Sequence, residues 1–264
     1  MKTGPPSAAP SGLSLSYVVE TICVFMIENF SAYVTWIFAL ATVSAVIVYL
    51  CAVWEASREK VFLFLTAAIL AVLLGLHATL ALKGFYLVNT SPPRFPLAPF
   101  PAIVILLILF FASARDGASV KSLQLLTLLS VVRVPVEVVL LWLYQHGQVP
   151  RLMTFEGRNF DIVSGLTAPL VAWLAFRGGK TNRPLLIVWN LFAFGLLLNI
   201  VTNAILSLET PFQQFAFEQP NRGVLYFPFI WLPAVIVPAV FVSHVISLWQ
   251  LLKRQGRGVV AQIR

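Results

Sequence analysis

Between residues 29 and 252 the chain runs through seven long stretches that carry almost no charge. A helix needs roughly 20 consecutive apolar residues to cross the hydrocarbon of a bilayer. The stretches lie at about 29–54, 61–83, 97–114, 121–146, 161–177, 184–207 and 226–252. The sequence therefore predicts an all-α, polytopic bundle of seven transmembrane helices. Composition agrees: 11% of the residues are charged and 59% hydrophobic, against about 25% charged in soluble domains.

The segments between the spans set the expected orientation. With the N terminus outside, the inner segments hold 11 Lys and Arg residues and the outer ones 6. The positive-inside rule then gives N-out and C-in, in a plasma membrane of the bacterial inner-membrane type. The net charge of +8 lies in these loops and the tail, which points to the lipid bilayer as partner and away from nucleic acid. Residues 1–16 read as a flexible tail, 17–252 as one membrane domain and 253–264 as a basic cytoplasmic tail. Segment 17–30 is apolar but carries Glu20 and Glu28, so it is expected in the interface. Were it to span, the helices would number eight and the N terminus would move inside. Cys23 and Cys51 fall near opposite ends of the first span, too far apart for a disulfide.

Ionisable residues at bilayer depth are the natural place to look for function. VVRVPVEVV (131–139) places Arg133 and Glu137 four residues apart, on one helix face. A rise of about 1.5 Å per residue puts Arg133 roughly 18 Å above the inner end, with Glu137 and His77 both roughly 24 Å up. On the sixth span Asn199 and Asn203 fall roughly 22 and 28 Å up, with Ser207 continuing their stripe. If these faces converge, spans two, four and six line a polar cavity open to the outside. The loop FEGRNFD adds Glu156, Arg158, Asn159 and Asp161 as a candidate rim, with Asn159 or Asp161 suited to cap the next helix. His244, counted inward from residue 226, is expected near the inner face, away from His77. Pro135 leaves the Val131 carbonyl without its helical donor.

Several classes are disfavoured. The last span has no deep lysine for a retinal Schiff base, and Lys253 sits at its inner end. Three scattered histidines without HxxxH or HExxH do not form a metal hydrolase centre. Walker, GxSxG and dinucleotide fingerprints are missing, and no cofactor is specified. The leading expectation is a membrane protein that binds a small molecule, ion or lipid through Arg133, Glu137, His77, Asn199 and Asn203, for transport or sensing. Two alternatives stand beside it. One is a non-catalytic assembly or scaffold subunit whose polar groups lock helices together. The other is an intramembrane enzyme using Glu137 and His77 as acid and base on a lipidic substrate.

Overall fold

The computed structural model describes residues 32–262 apart from 89, 91, 115–118 and 180, with side chains up to Lys253. The expected tail and the 17–30 segment lie outside the described residues, as does Cys23; Cys51 is exposed and free. No strand occurs among the described residues. The helices are α1 (Ala32–Ser57), α2 (Lys60–Leu82), α3 (Pro99–Ser113), α4 (Val120–Leu128), α5 (Arg133–Gln145), α6 (Asp161–Phe176), α7 (Arg183–Leu206) and α8 (Val237–Gln262). A 3-10 segment, Leu129–Val132, joins α4 to α5, and a π segment, Leu232–Ile236, opens into α8. These elements make seven helical segments long and apolar enough to cross a membrane. The last helix continues to Gln262, so the basic segment predicted as a tail is largely helical.

The segments alternate in direction, which gathers their connections at two ends. One end, the long-loop face, carries residues 83–98, 146–160 and 207–231; the other carries the short turns near 58, 119 and 180. Small residues face inward. Helix α1 buries Ala41, Ala45 and Ala52 on one stripe with Val34, Phe38 and Tyr49, while Trp36, Leu40 and Ile47 point outward. Large apolar groups outside and small ones at contacts are what helices surrounded by lipid require. Polar links join helices as well: Ser122 Oγ donates to Ala52 O at 2.8 Å and Trp231 Nε1 to Leu74 O at 2.9 Å.

The segment containing α4 and α5 and the one containing α8 are the most enclosed, with 56% and 67% of their apolar cores buried. Both are irregular at a proline. Pro135 has no N–H to offer Val131 O, and the chain just before it tightens into the 3-10 segment. Pro238 likewise has none for Ala234 O, beside the π segment. The seventh helical segment starts at Leu232, six residues later than the sequence suggested, because residues 227–230 form a turn.

Glycine matters at two contacts. A Cβ on Gly157 would meet Arg151 O at 2.2 Å, and one on Gly165 would meet Val134 Cγ2 at 2.8 Å. Gly195 has open space around it. Gly157→Ala is expected to lower the melting temperature in detergent by several degrees, on the scale of about 1–3 kcal/mol for overpacking. Gly195→Ala should leave it unchanged; thermal unfolding of both variants checks this.

Candidate functional site

Where the irregular α4–α5 helix meets α6, α7 and α8, four spans exchange polar contacts. Arg133, the first residue of α5, is 3% exposed. Its Nη1 donates to Asp161 Oδ1 at 2.6 Å and to Ala193 O at 3.0 Å. Its Nη2 lies 2.8 Å from His244 Nε2. A guanidinium only donates, so Nε2 is the acceptor and His244 carries its proton on Nδ1. That Nδ1 sits 2.8 Å from Asn190 Oδ1 and donates to it, while Asn190 Nδ2 donates to Leu186 O at 2.8 Å. The donors all run one way, from Arg133 through His244 and Asn190 to the α7 backbone. One guanidinium, one carboxylate and one neutral imidazole balance the charge.

Arg133 therefore pairs with Asp161 and not with Glu137, as the spacing on α5 suggested. Residues i and i+4 share a face, but Asp161 reaches the guanidinium from a neighbouring helix and takes the ion pair. Asp161 opens α6, where a carboxylate also suits the positive end of the helix dipole.

Glu137 has a different neighbour. Its Oε1 accepts a short hydrogen bond from Asn159 Nδ2. Asn159 Nδ2 also donates to Met153 O at 3.0 Å, and its Oδ1 accepts from the Asp161 N–H at 3.1 Å. Asn159 is thus fully engaged, as a turn residue two positions before the α6 start; Phe160 takes the N-cap place without a side-chain cap. Among the described residues Glu137 Oε2 is buried without a hydrogen-bond partner, as is Arg133 Nε.

Glu137, Asn159 and Asp161 are the polar walls of a cavity of about 90 Å³. Its other walls are apolar: Val136 and Leu140 on α5, Leu197 and Ile200 on α7, and Pro233 and Val237 at the seventh segment. Phe95 and Pro99 close it toward the long-loop face. The lining comes from the third to seventh segments, and α2 contributes none of it, in contrast to the expected cavity of spans two, four and six.

The remaining predicted residues go elsewhere. His77 is buried on α2, its Nδ1 in a short hydrogen bond with the Tyr86 hydroxyl. It shares neither a bond nor a cavity with Glu137, so the acid–base couple proposed for an enzyme is not assembled. Asn199 is exposed and donates to Arg158 O at 2.8 Å. Asn203 Nδ2 turns back to Asn199 O at 3.0 Å, and Ser207 Oγ to Asn203 O at 2.6 Å. That stripe binds its own helix and the adjoining loop, leaving Leu197 and Ile200 to face the cavity. In the candidate rim, Glu156 and Arg158 are exposed, and the Arg158 guanidinium lies 5.4 Å from the Phe215 ring. Asn159 and Asp161 are the rim residues that reach the cavity.

His244 and Asn190 are the members that the sequence did not single out. His244 was placed near the inner face because its span was counted from residue 226. Counted from Leu232, it lies roughly 18 Å along the segment, and Arg133 lies equally far from Gln145 at the same face. Asn190 carried no spacing signal.

Removing one partner of a buried ion pair costs about 3–5 kcal/mol, whereas replacing both by apolar residues is often neutral. Arg133→Met alone is expected to destabilise the fold on that scale. Adding Asp161→Leu should restore most of the loss, and adding Glu137→Leu instead should not; denaturation of the three variants in detergent measures it.

No curated protein and no solved structure matches the chain. Residues 92–252 match the model of a domain of unknown function, DUF8737. The match takes in Arg133, Glu137, Asn159, Asp161, Asn190 and His244, and leaves α1 and α2 outside it. Covering more than half of the sequence, it establishes that the chain belongs to the DUF8737 family.

Proposed function

We propose that the chain is an integral protein of a plasma membrane, inner in bacteria, with the long-loop face outside, and that it binds a small apolar or amphipathic molecule beside Glu137 for transport or sensing. The observation that carries this reading is the Glu137 carboxyl group. It is buried on the wall of a mostly apolar cavity, one oxygen held by Asn159 and the other without a partner among the described residues. Carboxyl groups in that setting are costly and are commonly retained for a ligand, ion or proton. A ligand donor or a bound proton on Oε2 would complete its hydrogen bonding.

Arg133 has a different part in this reading. Both terminal nitrogens of its guanidinium close on protein groups, which favours a holding role of the kind first considered for a scaffold subunit. Arg133 keeps the helices in place, and Glu137 meets the ligand.

Two experiments test the proposal. In a cysteine-free background, a cysteine at Glu156 should react with a membrane-impermeant maleimide on intact cells, and one at Lys121 only after lysis; the opposite pattern would refute the orientation. Mass spectrometry of the purified protein should reveal a co-purified small molecule. Its occupancy should fall on the order of tenfold in Glu137→Gln, as expected for loss of one charge-assisted hydrogen bond. Equal occupancy in the two proteins would remove Glu137 from the site.

A further inference from the structure

A second, larger cavity of about 400 Å³ opens at the long-loop face, between residues 86–95 and 208–226. Only Phe95 lines both it and the cavity of Glu137. Its charged walls are Arg94, Arg222 and Glu209. Arg222 is already neutralised, because Nε and Nη2 both engage the Glu209 carboxylate. That bonding also raises the Arg222 pKa.

Arg94 is different. It is half-buried, and among the described residues no carboxylate lies within ion-pair reach of it. Its Nη1 donates to Phe85 O at 3.3 Å, and its guanidinium stands 4.6 Å from the Phe85 ring centre. These contacts fix the plane of the guanidinium and leave Nε and Nη2 without acceptors among the described residues. Two donors in that fork suit a planar or tetrahedral oxyanion held by two oxygens.

The opposite wall has an unmet need of the other sign. Asn221 is 1% exposed. Its Nδ2 donates to Ala204 O at 3.2 Å, which fixes the amide orientation and leaves the buried Oδ1 as an acceptor with no donor among the described residues. On a third side, burial pushes the Tyr86 phenol up to about 12. It is therefore neutral at physiological pH, and its hydroxyl is engaged with His77.

We propose that this cavity is a binding site for a hydroxylated oxyanion of the glycerol phosphate type, with Arg94 holding the phosphate and Asn221 Oδ1 accepting from a hydroxyl. The same chemistry is offered by free glycerol phosphate and by the headgroup of phosphatidylglycerol. The site is distinct from the cavity of Glu137 and stands or falls without it.

The test uses the full-length protein in nanodiscs of phosphatidylcholine. Equilibrium dialysis measures binding of labelled sn-glycerol 3-phosphate, and native mass spectrometry counts phosphatidylglycerol retained when that lipid is added. The wild type should take up at least one of the two probes, and which one identifies the source. Arg94→Ala should weaken that binding on the order of tenfold or more, with Arg94→Lys between the two because a lysine cannot offer the fork. Asn221→Asp, which sets a second negative charge against the phosphate, should weaken it as well. Glu209→Gln should not weaken it, since it releases Arg222 toward the cavity. Failure of the wild type to take up either probe overturns the proposal, as does uptake indifferent to Arg94→Ala. Glu137→Gln should leave uptake unchanged, so the two sites are judged separately. The unfolding temperature of each variant shows whether a loss comes from binding, and Arg94→Lys supplies the comparison if Arg94→Ala does not fold.

Discussion

The Arg133–Asp161 ion pair, buried among four helical segments, is the interaction on which the rest of the arrangement depends. In hydrocarbon an unpaired guanidinium or carboxylate is too costly to keep. Each partner therefore constrains where the other's helix can go. Arg133 brings in α7 through Ala193 O and α8 through His244, and Asp161 brings in the start of α6. Four spans are thus tied at one depth by a single side chain. Such a tie contributes less to net stability than to the choice of a single arrangement among many that apolar helices could adopt.

The loop before α6 extends this order to the cavity. Asn159 spends its amide on Glu137 and Met153 and its carbonyl on the Asp161 N–H. The residue that orients Glu137 is therefore two positions from the one that holds Arg133. Gly157, packed on the Arg151 carbonyl, lets the loop fold tightly enough for this. The ion pair and the Glu137 hydrogen bond are separated by side chain but joined by backbone. A disturbance of the ion pair would reach Glu137 through Asn159 along the polar side of the cavity, leaving its apolar walls as they are.

Much of the architecture was readable because a bilayer reduces helices to length and hydropathy: six of the seven segments begin within a few residues of where the apolar runs place them. The seventh did not, since Pro228 and the aromatics around it are apolar enough for a span but 227–230 form a turn. That error of six residues displaced His244 by roughly 9 Å and hid its contact with Arg133. The partner of Arg133 was missed for another reason. Spacing along one helix identifies neighbours on that helix, but Asp161 arrives from a second one, and one sequence carries no measure of that approach. Asn199 and Asn203 show the converse. Their periodicity was real, yet it served bonds along α7 and to the Arg158 carbonyl.

The 3-10 segment before Arg133 has a consequence for direction. A 3-10 turn advances about 120° per residue against about 100° in an α-helix, so four residues turn the following helix roughly 80° further. Above Leu129–Val132, the α5 side chains therefore point along a bearing different from the one α4 would have passed to them. Helix α4 sets Ser122 against α1, while α5 sends Arg133 and Glu137 toward α6 and the cavity. One helical segment thus serves two unlike neighbourhoods. Pro135, the residue that forbids a continuous helix there, acts as the compass of the polar centre.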